Sequence, residues 1–286
     1  MTRLPAELLM ERETRVSYGP VPMQLLDRPL DEMSWQMELG RFLLRGEGEH
    51  YFYYQVGQGV MVHRGADADA SDESLWLNGS VYAAIASING LLPIHASAVA
   101  YQGAVFAFTG PAGAGKSTIV AALGRYGLPM FCDDTLVLDL SDPDGLICLP
   151  GHKRLKLLPD AFGLTGATRE EGVSRTYDKN YASPIAGTVG TPLPLAELIF
   201  LEEGPEPALI PISGAERFVR MQDDHHTRFL FEAANQFGRV DLFNHRARLA
   251  GQMAMTRFAR PLNTSTFEEG VSLAARHVMK DRTATP

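Results

Sequence analysis

The stretch FTGPAGAGKSTIVAALGRYGLPMFCDDTLVLDL, residues 108–140, decides how the chain folds and what it binds. Gly110, Pro111, Ala112, Gly113, Ala114, Gly115, Lys116 and Ser117 satisfy the pattern G-x-x-x-x-G-K-[ST] in full. At average glycine usage such a match arises by chance in about one chain in a hundred of this length, so the context has to agree as well. It does. The apolar run 104–109 reads as a strand leading into the loop, and 116–126 as a helix stopped by Gly127. Glycines let the backbone curl so that successive amides face phosphate oxygens, and the helix N-terminus adds positive potential. Lys116 is expected to reach the β- and γ-phosphates, Ser117 to bind Mg²⁺, and Thr118 to complete the nucleotide contacts.

Asp133 and Asp134 follow an apolar strand, sixteen residues beyond Ser117. One helix and one turn fill that interval, so this strand is expected beside the loop strand, with its carboxylates near the γ-phosphate. Adjacent strand residues face opposite sides, which divides the labour. One carboxylate could hold the metal while the other accepts a proton from an attacking hydroxyl. Asp139, at the far end of the strand, reads as ordinary surface.

The 286 residues are 45% hydrophobic and carry a net charge of -8, which fits a globular chain and argues against general nucleic-acid or membrane-surface binding. Two cysteines, Cys132 and Cys148, are too few for a disulfide framework and suit a reducing cytosol; Cys132 lies in an apolar run and reads as a buried thiol. The N-terminus has no signal-peptide core, and no run approaches the ~18 apolar residues of a membrane span, so a cytoplasmic protein is expected.

Residues 1–74 read as a small β-rich module and 75–286 as a catalytic domain, with the polar stretch 65–74 as the linker between them. In the module, 50–64 reads as two strands about a Gly57-Gln58-Gly59 turn. Residues 75–89 have helical spacing and end at Gly90. Residues 92–109 read as two strands joined at Gln102-Gly103, 129–140 as one strand, 163–194 as a long loop or hairpin, and 195–203 as a further apolar strand. The C-terminal part, 214–280, reads as largely helical, with 236–260 its longest helix.

His95, in PIHASAV, stands fifteen residues before Gly110. The order H-x-S-A-V, then the glycine loop, then Asp-Asp resembles the catalytic domain of bacterial HPr serine kinase/phosphorylase. It is more similar still to the short HPr-kinase-like proteins of peptide-modification clusters, including lasso-peptide precursor kinases. The motifs span about residues 92–140, and the likeness continues more weakly through GHKRLKLLPDAFGL. The resemblance implies an α/β P-loop kinase fold of the phosphoenolpyruvate-carboxykinase-like type, a mixed sheet flanked by helices. It implies Asp133 as the catalytic base, Asp134 near the metal, and His95 beside the pair. It further implies ATP (or GTP) with Mg²⁺ and a serine acceptor on a peptide or small protein; the parent kinases are homo-oligomers, and whether this shorter chain forms one stays open. The family's later signature, a glutamate with an RGLG-type turn, is not present; Arg154 and Lys156 occupy that region as candidate contacts to phosphate or substrate. Phosphorylase activity and HPr itself are therefore not implied.

Lys179 is a further candidate from a loop over the acceptor, and Arg257 or Arg260 could line the site from a packing helix. The run 223–226, Asp-Asp-His-His, reads as surface rather than as a metal site. Two other functions remain open at this point. A small-metabolite P-loop kinase would share the aspartate, although such chains begin almost at the loop. A nucleotide-binding adaptor would need no base.

Overall fold

The computed structural model describes residues 4–143, 145–174, 177–222 and 226–280. The chain is mixed α/β. Among the described residues its centre is a nine-stranded mixed sheet, built around the strand that feeds the glycine loop, Ala104–Thr109. That strand is antiparallel to Ala96–Tyr101 on one side and parallel to Leu193–Glu203 on the other. Beyond Ala96–Tyr101 lies Met130–Cys132, and beyond Leu193–Glu203 lies Met255–Arg260, in parallel register. Strand Ile147–Leu149 also pairs with Leu193–Glu203; Leu136–Asp139 and then Leu92–Ile94 extend the sheet past it.

Local chemistry explains the central hairpin. Gln102 and Gly103 both have positive φ, 47° and 74°, which is the two-residue turn that matches strand twist. Alternation then sends Phe106 and Phe108 to one face, against Ile119 and Leu123 of helix Lys116–Leu123 and Val271 and Ala275 of helix Phe267–Val278. Ala107, Leu198 and Phe200 point to the other face, under helices His226–Asn235 and Arg239–Gln252.

Before this sheet comes a separate five-stranded one. Strands Ser34–Glu38, Arg41–Arg45, Tyr51–Gln55 and Gly59–His63 pair in sequence, antiparallel, and Val16–Tyr18 adds in parallel to the last. Its inward face, with Phe42, Phe52, Tyr54 and Val62, packs on the alanine-rich helix Tyr82–Ile88, and the same cluster takes in Val137 and Leu149 of the main sheet. The stretch that reads as a linker instead enters a helix at Ala70–Trp76, capped by Asp69, whose side chain accepts from the Ser71 amide.

Three expectations need correction. The run 129–140 is two strands, broken at Asp133–Thr135 where Asp134 has φ 71°. The first of them is not beside the loop strand, because Ala96–Tyr101 lies between. Met255–Arg260 is a strand rather than part of a long helix: its residues alternate in burial, and an open edge of Leu193–Glu203 receives it. The region 163–194, by contrast, holds the antiparallel strand pair expected of a hairpin, Arg169–Gly172 with Asn180–Ala182, which joins Leu155–Leu157 in a three-stranded sheet. Both cysteines are free and buried, with their thiols pushed up by burial. No helix among the described residues is long and apolar enough to cross a membrane.

A buried polar knot ties the N-terminal helix Ala6–Glu13 to the first sheet and to the helix behind it. Glu13 accepts from the Tyr54 hydroxyl and the Gly57 amide, both at 2.8 Å, while the Asn89 side chain donates to the Tyr54 oxygen at 2.8 Å. Burial alone would raise the Glu13 carboxyl, but these donors and Arg12 outweigh it and hold it below the ordinary range. The stability it contributes is therefore present above pH ~4.3 and lost as pH falls further. Tyr54→Phe removes one donor from a buried carboxylate and should cost about 1–3 kcal/mol. The variant is expected to show a lower urea midpoint at unchanged slope at pH 7, with a smaller deficit at pH 3.

Candidate active site

The loop 110–117 leaves strand Ala104–Thr109 and enters helix Lys116–Leu123 at Gly115, which is left-handed with φ 82°. That φ favours glycine, and a Cβ there would also lie 2.8 Å from the Arg260 guanidinium and displace it. Arg260, at the end of its strand, passes under the loop and donates to the Ala114 carbonyl. It is 8% exposed, and among the described residues no carboxylate pairs with it. Burial pushes its pKa down. Lys116 is folded back over its own loop, donating to the carbonyls of Gly110 at 2.8 Å and Pro111 at 3.1 Å.

The aspartate turn meets this loop directly. Asp133 is fully buried, and its Oδ1 accepts from the hydroxyls of Ser97 at 2.6 Å and Ser117 at 2.8 Å. Its Oδ2 accepts from the Lys156 amide at 2.9 Å. Asp134 turns the other way because of its left-handed backbone. Its side chain is 25% exposed, and its Oδ2 receives the Lys156 ammonium at 2.6 Å. His95 Nδ1 lies 2.8 Å from the Asp134 carbonyl and 3.6 Å from its carboxylate. A carbonyl can only accept, so Nδ1 carries the proton in this bond. Burial alone would lower the Lys156 ammonium; Asp134 and Asp133 outweigh it and hold it above the ordinary lysine value, charged throughout the neutral range.

A cleft of about 360 Å³ opens over the loop. Its walls include Lys116, Ser117, Thr118, Asp134, Lys156 and Lys179. The loop, His95 and Lys156 thus each come within hydrogen-bond reach of the aspartate turn. Arg154 does not join them. It pairs with Glu170 at 2.5 Å and Glu171 at 2.6 Å and stacks 4.0 Å over Tyr181, clasping the hairpin. Arg257 lies 3.9 Å from Glu202, away from the cleft. Asp223, Asp224, His225 and the side chain of His226 lie outside the described residues.

One residue with no role expected from sequence matters here. Ser97 stands inside the quoted PIHASAV motif, two residues after His95, so strand alternation was its available signal. Arg260, a candidate expected on a packing helix, reaches the loop from the end of a strand instead. The donor set, a hydroxyl and carboxylates beside a phosphate loop, suits Mg²⁺, which binds through one or two protein oxygens plus substrate phosphates. No group of three or more His, Cys, Asp or Glu side chains arranged for a metal occurs among the described residues.

Compared with known proteins, the chain matches no family model and no curated protein. Among solved structures it is similar to the Hpr(Ser) kinase/phosphatase from Coxiella burnetii, at 15% identity, over 66% of this chain and 97% of that one, with a TM-score of 0.35. At that level the two share too little for the likeness to speak to fold or function.

Arg260→Met should leave the fold intact, since an apolar group of similar length replaces an unpaired buried charge. It should weaken nucleotide affinity about tenfold, by loosening the loop and removing a nearby positive charge. Titration calorimetry with a non-hydrolysable ATP analogue, beside a melting curve, checks this.

Proposed function

We propose that the protein is a nucleotide-dependent kinase of the phosphoenolpyruvate-carboxykinase-like P-loop type, transferring a γ-phosphate to a serine hydroxyl of a peptide or small protein. One observation carries the reading. The loop's Ser117 is bonded to Asp133, while the next residue, Asp134, presents a second carboxylate to the same cleft. A nucleotide-binding adaptor has no use for that second carboxylate. The motif order shared with HPr-kinase-like proteins supports the acceptor class, and a ribosomally made, lasso-type precursor peptide is the acceptor it favours.

The geometry favours exchanging the roles expected for the pair. Asp133 has both oxygens occupied and does not line the cleft; it orients Ser117. Asp134 lines the cleft and is the base. When bound, Mg²⁺ would be held at the Ser117 hydroxyl, which Asp133 orients, and would neutralise phosphate charge there. Lys116 turns from its loop carbonyls to the β- and γ-phosphate oxygens of ATP or GTP. The acceptor hydroxyl gives its proton to Asp134 as its oxygen bonds to the γ-phosphorus. The bond from that phosphorus to the bridging oxygen breaks, and the nucleoside diphosphate leaves with the electron pair. His95 acts as a positioning residue, holding the Asp134 backbone in its left-handed turn.

Asp134→Asn is expected to keep nucleotide affinity within about twofold and to lower transfer to serine peptides about 10²–10⁴-fold, the range for a lost general base. Asp133→Asn should weaken the Mg²⁺ dependence as well as the rate. Near wild-type transfer by Asp134→Asn would sink the assignment. Turnover on small hydroxylated metabolites, with none on peptides, would favour a metabolite kinase instead.

A further inference from the structure

A second cleft, of about 270 Å³, opens beside the first and shares with it His95, Ala112, Asp134, Lys156 and Lys179. Its far wall comes from outside the loop region, from the helical run that joins the N-terminal sheet to the main one. That run leaves regular geometry over Leu77–Val81, where a wider, π-type turn is inserted and Gly79 takes φ −106°, ψ −107°. Such inserted turns concentrate at functional sites because they push backbone out of line. Here the displaced backbone faces the carboxylate proposed as the base. A Cβ on Gly79 would lie 3.4 Å from Asp134 Oδ2, within the space an approaching hydroxyl needs.

The remaining wall is largely apolar, with Ser80 and Lys179 as its polar members. Leu75 and Trp76 line it from the helix, and Val173 and Tyr177 from the opposite side. Tyr177 is 47% exposed, available for contact from solvent. The charges at the floor, Asp134 and Lys156, already pair with each other. A basic neighbour of the acceptor would thus lose hydration without gaining a partner, and an acidic one would find only Lys179 amid mostly apolar surface. An apolar neighbour would bury surface against the aromatic rings.

We infer that this second cleft is the acceptor subsite, and that it selects a serine next to an aliphatic or aromatic residue. That side chain lies against Leu75, Trp76 and Tyr177, and the missing side chain of Gly79 leaves clearance for the hydroxyl at Asp134. The inference rests on the kinase reading above and adds to it the class of peptide and the residues that choose it.

The test uses the full chain with Mg²⁺ and γ-labelled ATP on pools of blocked serine peptides. Each pool fixes the residue beside the serine as Leu, Phe, Gln, Asp or Lys. Transfer to the Leu and Phe pools should exceed the Asp and Lys pools at least about tenfold, the effect of burying one apolar side chain rather than a charge. Tyr177→Ala, a surface change, should erase most of that preference. Gly79→Ala should lower transfer to every pool, with nucleotide affinity as the control for folding in both variants. Equal transfer across pools, an acidic or basic preference, or an unaltered preference in Tyr177→Ala overturns the inference and leaves the kinase reading standing. Nucleotide binding with transfer to no pool overturns the kinase reading, and the inference with it.

Discussion

The carboxylate of Asp133 is the contact on which the site depends. A buried carboxylate is costly unless each oxygen is satisfied, so its donors are held closely in place. Those donors come from three separate parts of the chain: Ser97 on the strand beside the loop strand, Ser117 on the loop helix, and the Lys156 amide on the three-stranded sheet. One side chain therefore fixes the phosphate loop, the main sheet and the small sheet relative to one another. With Asp133 anchored inward, the left-handed backbone at Asp134 sends the next carboxylate outward to the cleft. The same turn breaks the strand, and its continuation, Leu136–Asp139, pairs with Leu92–Ile94, immediately before His95. His95 is positioned by the break that positions Asp134.

An acidic chain can still build an anion site, because local placement outweighs net charge at short range. Arg260 illustrates the principle. It is buried, tied to the Ala114 carbonyl and without a carboxylate partner among the described residues. Its charge is screened little there, and it adds to the loop amides and the helix N-terminus in favouring phosphate.

What could be read from the sequence was local. The glycine loop, the Gln102-Gly103 turn and the helix ending at Gly90 each announce themselves within a few residues, since their backbone angles demand particular side chains. What could not be read was set by distant pairing. Met255–Arg260 has spacing compatible with a helix and becomes a strand because Leu193–Glu203, some fifty residues earlier, offers a parallel edge. The run 129–140 is apolar almost throughout and gives no period by which to see that it changes neighbours at Asp133. Arg154 and Lys156 looked equivalent as cations. Only the partner strand Asn180–Ala182 decides that Lys156 enters the cleft while Arg154 clasps Glu170 on the hairpin.

Lys156 also connects the two clefts energetically. Its ammonium lines both and is held by Asp134 at 2.6 Å. On the proposed reading, a γ-phosphate in the loop competes with Asp134 for that ammonium, since phosphate carries more charge than a carboxylate and offers more acceptor oxygens. As Lys156 turns toward the phosphate, Oδ2 of Asp134 is released to take a proton from a hydroxyl in the neighbouring cleft. The base becomes available once the group to be transferred has arrived, and it faces the acceptor side. Before that, the ion pair occupies the oxygen that would otherwise activate water. Coupling the two clefts through one shared cation favours transfer to an acceptor over hydrolysis.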